Sequence, residues 1–477
     1  MAQDTSTSPA SSALPPLLAS LWVLLEAHRS AFRQERPYQR MVALVFGSLV
    51  AVARHTVTQL LLMLGLTDAD WSAWYRLFSI PRLNYDALTR CFLQETLAEV
   101  AETEPYVAVV DGVQVPRHSR RMPGTAWLKN PRTPPWKPGA WRAQRFVHLA
   151  GLLPRVLGYS RALPLRWEPA FPEKAVRPAG MVARREWEAA HTAIGWLREQ
   201  LDVAGRAAQR LLILGDGGYD VADLWRTLPA RVILLTRTAR NRALYALPTP
   251  ETRRGAPRKY GERARTPAAW LAERTGWQRV TLEVRGRQVP VRYRAEGPFV
   301  VRKAATQPVF LLVVPGIDRQ HRRLRRDPTY WLVSAVWQDD QWVLPLPAAE
   351  VLAWAWQRWE VEVCHRELKS GFGLGEMQCW GVISTVLATQ WQAWLYGVLV
   401  LAGYRTWGLT GSPFTPPARW WGGAPRWSLG TLWRGYRQAL WGTSDFRALW
   451  TGTGDTWRTK ATWIAGIQNL LAGSLRV

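Results

Sequence analysis

The segment Trp356-Gln-Arg-Trp-Glu-Val-Glu-Val-Cys-His-Arg-Glu-Leu-Lys369 reads as helix, free of Gly and Pro. At ~100° per residue, Arg358, Glu362, His365 and Lys369 fall within one narrow arc. Val361, Cys364 and Leu368 make a neighbouring apolar face, while Glu360 and Glu367 point elsewhere. A carboxylate with Arg one turn before it and Lys two turns after it suits an anion or a metal-bound phosphate. Such a helix carries chemistry only if the chain supplies partner carboxylates.

Two segments supply them. Tyr106-Val-Ala-Val-Val-Asp111 and Arg210-Leu-Leu-Ile-Leu-Gly-Asp216 are apolar runs of strand length, and each ends in Asp. In open α/β sheets such strand ends form the crevice where sites are built. The helix bearing Glu362 can then cross that edge. Three carboxylates from two strands and a helix are what two divalent ions need, held about 3.5–4 Å apart around a phosphodiester. Mg²⁺ suits an all-oxygen site that keeps waters and borrows substrate phosphate. The plainer reading of Asp111-Gly112 and Asp216-Gly217-Gly218 is turn capping, and Asp220 reads most simply as a helix N-cap.

The composition agrees with a polyanionic partner. A formal net charge of +26 over 477 residues, with pI near 10.9, points to nucleic acid. Lys occurs only seven times among 62 basic residues, so Arg dominates. A GC-rich gene explains the Arg excess and the 30 Trp equally well, so the excess is read as charge only. Cys91, Cys364 and Cys379 form no CxxC pair, which fits a reduced cytosolic protein and excludes a disulfide scaffold. Ala13 to Leu25 lacks the cationic start and cleavage site of a signal peptide. Trp391 to Tyr404 is too short a run to span a bilayer and reads as a buried core helix, so no membrane partner is expected.

Patterning divides the chain into five stretches. Residues 1–104 read as all-helical after a Ser/Thr/Ala-rich start. Within them Thr56 to Arg76 is helix, Gly turn, helix, capped by Thr67 or Asp68, and reads equally as a DNA-contacting helix-turn-helix or as two packed helices. Residues 105–238 alternate strands and helices and form the first part of an α/β core. Residues 239–345 read as an antiparallel β insertion, 346–405 as the second part of the core, and 406–477 as a weakly patterned tail. Basic loops are expected at Arg117 to Arg121, including Arg120 and Arg121, at Trp127 to Trp141, and at Arg253 to Lys259, including Arg254, Arg258 and Lys259. Such segments can track a DNA backbone and stack on unpaired bases.

The order strand–Asp, strand–Asp, β insertion, helix–Glu resembles the DDE transposases of bacterial insertion sequences, which have a ribonuclease-H-like core. Arg358, Glu362 and Lys369 match the spacing of their tyrosine–arginine–glutamate–lysine signature, Y-x2-R-x3-E-x6-K. The tyrosine position falls on Ala355, a departure, with Trp354 and Trp356 on either side. Asp216-Gly-Gly-Tyr-Asp220 is similar to the family's D-x-G-[YF] segment, and Val110 to Pro116 is a weaker match. The resemblance covers roughly residues 50 to 405 and implies a metal-dependent endonuclease and strand transferase. Asp111, Asp216 and Glu362 would be the catalytic metal ligands for two Mg²⁺ ions, with Mn²⁺ able to substitute. Arg358 and Lys369 would hold phosphates, and His365 would either join them or make a structural hydrogen bond. The implied partners are double-stranded DNA, as transposon ends and target, and a second copy of the chain in a synaptic complex in the bacterial cytoplasm. Two other readings are a domesticated, inactive transposase acting as a repressor, and a structure-specific nuclease on the same core.

Overall fold

The computed structural model describes residues 14–441 apart from 52–53, 81, 132, 135, 178–180, 249–257, 317–326 and 412–425. The chain opens with helices α1 (Pro16–Ala27), α2 (Glu35–Val50), α3 (Val57–Met63), α4 (Ser72–Ser79) and α5 (Tyr85–Leu97). Gly65, at φ 69°, breaks the chain after α3, as a Gly turn should. The cap of α4 differs from expectation. Neither Thr67 nor Asp68 caps it; Asp70 instead accepts from the Ser72 N–H at 2.9 Å and the Ser72 hydroxyl at 2.8 Å.

Strands β1 (Tyr106–Pro116), β2 (Thr125–Lys129), β3 (Ala140–Leu152) and β4 (Ala162–Pro169) follow, then α6 (Glu186–Val203), β5 (Leu211–Gly215), α7 (Ala222–Arg226) and β6 (Val232–Arg237). Next come β7 (Leu244–Ala246), α8 (Pro267–Ala272), β8 (Gln278–Val284), β9 (Arg287–Val301), β10 (Ala304–Val314) and β11 (Thr329–Ser334). A small hairpin, β12 (Val336–Gln338) and β13 (Gln341–Val343), precedes α9 (Ala348–Gln357), α10 (Trp359–Gly371), α11 (Ser384–Trp407) and α12 (Leu429–Trp441).

One large mixed sheet organises the molecule. Among the described residues its order is β2-β3-β1-β5-β6-β11-β10-β9-β7, with β4 also on β3 and β8 also on β9. β4, β3 and β1 are antiparallel, whereas β1, β5 and β6 run parallel. That succession is the one expected of a ribonuclease-H-like core. Leu211 to Leu214 and Ile233 to Leu235 are buried continuous apolar runs, as parallel strands covered on both faces require. The strands between residues 278 and 334, expected as an insertion, do not stand apart. β11 pairs antiparallel with β6 through Leu332↔Thr236, and β10 and β9 extend the same sheet.

Two sequence readings need correction. The Trp127 to Trp141 stretch is a loop only in its middle: its two ends belong to a hairpin, β2 pairing β3 from Thr125↔Gln144 to Lys129↔Ala140. The apolar run near Trp391 is the buried core helix read from sequence, but it belongs to a helix that is not too short to span a bilayer. α11 has 24 residues, long and apolar enough to cross a membrane by length and composition, yet its apolar window lies wholly inside the fold. It contacts α1, α5 and β4. A helix apolar all round belongs in a core, and this one is the post around which the N-terminal helices and the sheet assemble.

Arg117 corrects a third. Counted among the basic loop residues by sequence, it is 4% exposed. Its guanidinium donates to Gln144 Oε1, the Met377 carbonyl and Thr389 Oγ1, each at 2.8 Å. It thereby ties the end of β1 to the segment joining α10 and α11, and burial lowers its pKa to about 10. Replacing it leaves these acceptors buried without a donor. Arg117→Met is therefore expected to cost about 3 kcal/mol in urea unfolding. DNA affinity per folded molecule should stay unchanged; a weakened affinity at unaltered stability would return Arg117 to the DNA surface.

Candidate active site

Register brings the first two carboxylates together. Val109↔Leu214 is the last pair of the parallel β1–β5 ladder, and Asp111 and Asp216 each lie two residues beyond it, near enough for the Asp216 charge to act on Asp111. Asp111 does not end its strand, as the sequence suggested. It lies where pairing to β5 stops while pairing to β3 continues, opposite His148. Asp216 follows the last residue of β5 and opens a short 3₁₀ turn, Gly217–Tyr219, its Oδ1 accepting the Gly218 N–H at 2.8 Å. The capping role and the site position thus belong to the same residue.

Strand alternation assigns the two faces. Asp111 and His148 face α10, and Gly112 faces α6. A Cβ at Gly112 would lie 2.1 Å from Glu186 Oε1 at the start of α6, so only Gly lets that carboxylate close on the strand. Glu186 accepts from the Tyr219 hydroxyl at 3.2 Å and pairs with Arg145 at 3.4 Å. The buried Tyr219 phenol is raised well above its ordinary pKa, first by burial, then by Glu186, Asp111 and Asp216. Glu186 and Tyr219 therefore hold the turn after Asp216 from behind the sheet.

On α10, Val361, Cys364 and Leu368 are fully buried, as the wheel requires. The flanking acids are structural. Glu367 binds Arg161 and the Tyr396 hydroxyl, each at 2.7 Å, and Glu360 pairs with Arg426. Glu362 remains on the site face, where Arg358 Nη2 meets its Oε1 at 2.6 Å. Arg358 itself sits in the turn between α9 and α10 with helical dihedrals, φ −50° and ψ −34°, which keeps the expected one-turn spacing. Among the described residues, no three His, Cys, Asp or Glu side chains come close enough together to grip an ion. The Arg358 contact, which draws the Glu362 carboxylate onto a guanidinium, gives one physical reason.

The three carboxylates nonetheless feel one another. Asp111 has its pKa raised to about 7 by burial, then by Asp216; Arg358 opposes this and Glu362 adds to it. His365 has a different role from the cationic DNA contact considered from sequence. It is buried and its pKa falls to about 3, by burial and then by the charge of Lys369, so it is neutral near pH 7. Its Nε2 meets His148 Nδ1 at 2.9 Å, and its Nδ1 lies 3.6 Å from Asp111 Oδ2. Of the two roles read for it, the structural hydrogen bond is the one present.

A cleft of about 340 Å³ opens beside Arg358, lined by Tyr159, Arg237, Arg285, Trp331, Trp356 and Trp359 among others. Other expected cations lie elsewhere. Arg120 and Arg121 are exposed after β1, on the same side of the sheet as the carboxylates. Arg258 and Lys259 are exposed near β7, six strand spacings from β1, or ~29 Å at ~4.8 Å per strand. Arg254 lies outside the described residues. Asp220 does not cap α7; it accepts from Trp225 and Thr238 and pairs with Arg242. His148, Glu186 and Tyr219 escaped the sequence reading as partners of the site, and only Tyr219 carried a signal, inside the Asp216 segment.

The family model of DDE superfamily endonucleases matches residues 26–297, and the chain belongs to that family. The matched stretch takes in Asp111 and Asp216 and ends before α10. No curated protein matches the chain.

The Asp111 shift has a testable consequence. Its folded pKa of about 7 exceeds an unfolded value of ~3.9. Between those values the folded chain keeps a proton that the unfolded chain has lost, so this group's contribution falls as pH rises through 7. In chelator-treated protein, Asp111→Asn should add on the order of 2 kcal/mol at about pH 8 and almost nothing at about pH 4. Urea unfolding at both pH values checks this; an equal effect at both would refute the raised Asp111 pKa, which burial causes first and Asp216 second.

Proposed function

We propose that the chain is a DDE transposase that cuts DNA at the terminal inverted repeats of an insertion sequence and joins the freed 3′ ends to target DNA. The observation that carries this reading is the placement of Asp111 and Asp216 just past the last β1–β5 pair with Glu362 of α10 nearby, where burial, then Asp216 and then Glu362 raise the Asp111 carboxyl pKa to about 7 against Arg358. Membership of the DDE endonuclease family supports the nuclease part. The protein would act as a homodimer on paired ends in the bacterial cytoplasm.

DDE superfamily nucleases generally use divalent metal ions, and the donor set fits. Asp111, Asp216 and Glu362 are all-oxygen donors of the kind Mg²⁺ or Mn²⁺ takes, and their mutual repulsion is what a cation relieves. Two ions held there would polarise the phosphoryl group and activate the attacking oxygen. The protein's own parts do the remaining work. Arg358 cannot ligate a cation, and its fork suits a phosphate. An incoming phosphate would draw it from Glu362 and release that carboxylate to the site. Neutral His365, bonded to His148, lies beside Asp111 without adding charge, and Glu186 with Tyr219 holds the Asp216 turn. Lys369 lies about two turns beyond Glu362, ~10 Å along the helix, and would meet a neighbouring phosphate. The cleft of Trp331, Trp356 and Trp359 would receive a base unpaired beside the cut.

The test uses the purified chain with Mg²⁺ or Mn²⁺ and a plasmid carrying the DNA that flanks its gene. Breaks at paired inverted repeats and joined products are expected. Asp111→Ala, Asp216→Ala and Glu362→Ala should each lower cutting by roughly a thousandfold while binding stays within about threefold. Cutting without joining would instead favour a structure-specific nuclease, and binding without cutting a repressor. Binding should also weaken steeply with salt, the log–log slope being about −0.9 per phosphate neutralised. A slope equivalent to one or two contacts would sink the nucleic-acid reading.

A further inference from the structure

The longest stretch of this chain's sheet without an acid surrounds the first carboxylate. From Gly112 to Trp167 no Asp or Glu occurs, while Arg and Lys recur throughout. The β2–β3 hairpin lies inside this stretch, and its direction is set by register. β3 runs antiparallel to β1, with His148 opposite Asp111 and Ala143 opposite Pro116. Beyond that point β3 continues outward with β2 alone, to Ala140 opposite Lys129. Eight residues separate His148 from Ala140, which is ~26 Å at ~3.3 Å per residue. The hairpin is therefore an arm that leaves the sheet on the side where the carboxylates lie and projects well past them.

The arm is built to stay out. Trp141 on its inner face donates to Gln114 Oε1 at 2.6 Å, which braces it against β1. Arg142 donates to the Ser119 and Arg120 carbonyls and to Thr125 Oγ1. The tip closes on itself, with Asn130 N–H to the Gly139 carbonyl at 2.8 Å and Gly139 N–H to Thr133 Oγ1 at 2.9 Å. Pro131, Pro134 and Pro138 restrict the tip further. On this tip Trp136 is 85% exposed, and Trp127 on the outer face of β2 is 53% exposed. Lys129 and Lys137 are exposed beside them, and Arg120 and Arg121 are exposed at the arm's base. An indole presented to water among cations, with no acid nearby in sequence, fits a polyanion that also offers flat apolar rings or sugars.

The geometry points to a second DNA contact: the β2–β3 arm grips duplex flanking the scissile phosphate, with Trp136 against the groove and Lys129 and Lys137 on the backbone. At ~3.4 Å per base pair, the arm's reach sets that contact about eight base pairs or more from the cut. This rests on the reading of Asp111, Asp216 and Glu362 as the cutting centre, but it concerns binding that the carboxylates do not supply.

The experiment compares the full chain with the triple variant Trp136→Ala, Lys129→Gln, Lys137→Gln on a 40-base-pair duplex of the DNA flanking the gene. A control variant carries Arg258→Gln and Lys259→Gln at the far edge of the sheet. The arm variant should bind roughly tenfold more weakly and lose about two units of the log–log salt slope, and the control should lose less affinity. Trp136→Phe alone should keep most of the affinity, because a flat ring remains. The arm substitutions are on exposed side chains, so unfolding by urea should be unchanged and serves as the folding check. A p-benzoylphenylalanine in place of Trp136 should cross-link to DNA about eight or more base pairs from the metal-dependent nick. Unaltered affinity and slope in the triple variant overturn the proposal. So does a loss of self-association on sedimentation with DNA affinity per protomer intact, which would make the arm a protein interface. If the arm variant behaves as expected while Asp111→Ala still cuts, the arm stands and the catalytic assignment falls.

Discussion

The parallel pairing of β1 with β5 is the constraint on which this molecule depends. It sets Asp111 and Asp216 each two residues past its last pair, Val109↔Leu214. Burial first, and then the neighbouring Asp216 carboxylate, hold a proton on Asp111 to about pH 7. Much else in the site answers that neighbouring charge. Arg358 offsets it from one side. Glu186 and Tyr219 hold the following turn from behind, and the uncharged His148–His365 pair fills the space beside Asp111 without adding charge.

Fold and site were legible in the sequence to different depths. The two apolar runs ending in Asp and the wheel of Trp356 to Lys369 sufficed for a parallel core and a carboxylate helix, because burial on both faces and 3.6-residue periodicity leave plain marks. What could not be read was pairing. That His148 lies opposite Asp111, or that β11 joins β6, depends on contacts between residues far apart in the chain, and no local pattern encodes them. The same limit hid Glu186, whose place against Gly112 is a matter of helix docking on the sheet.

The arginines show the limit most clearly. Arg117, Arg161 and Arg120 are identical letters in a basic chain. Arg117 and Arg161 are buried, one satisfying carbonyls at the end of β1, the other pairing with Glu367 beneath α10, whereas Arg120 is exposed. Composition reports their summed charge, which governs long-range attraction to a polyanion. It does not report which guanidinium is already engaged inside the fold. A basic loop read from sequence therefore overstates the contact surface wherever carbonyls or carboxylates lie behind it.

The order of the strands also governs when the site can first be completed during the chain's synthesis. Asp111 and Asp216 belong to early strands, but Glu362 arrives only after β7 to β11 have been made and joined to the sheet. α10 is then fixed by Arg161 from before the sheet's second half and by Arg426 from after it. A ribosome-bound fragment ending anywhere before α10 thus carries two of the three carboxylates and none of the helix that completes them. Contacts of such long sequence separation form late. The set of three carboxylates is consequently complete only once α10 has packed against the finished sheet.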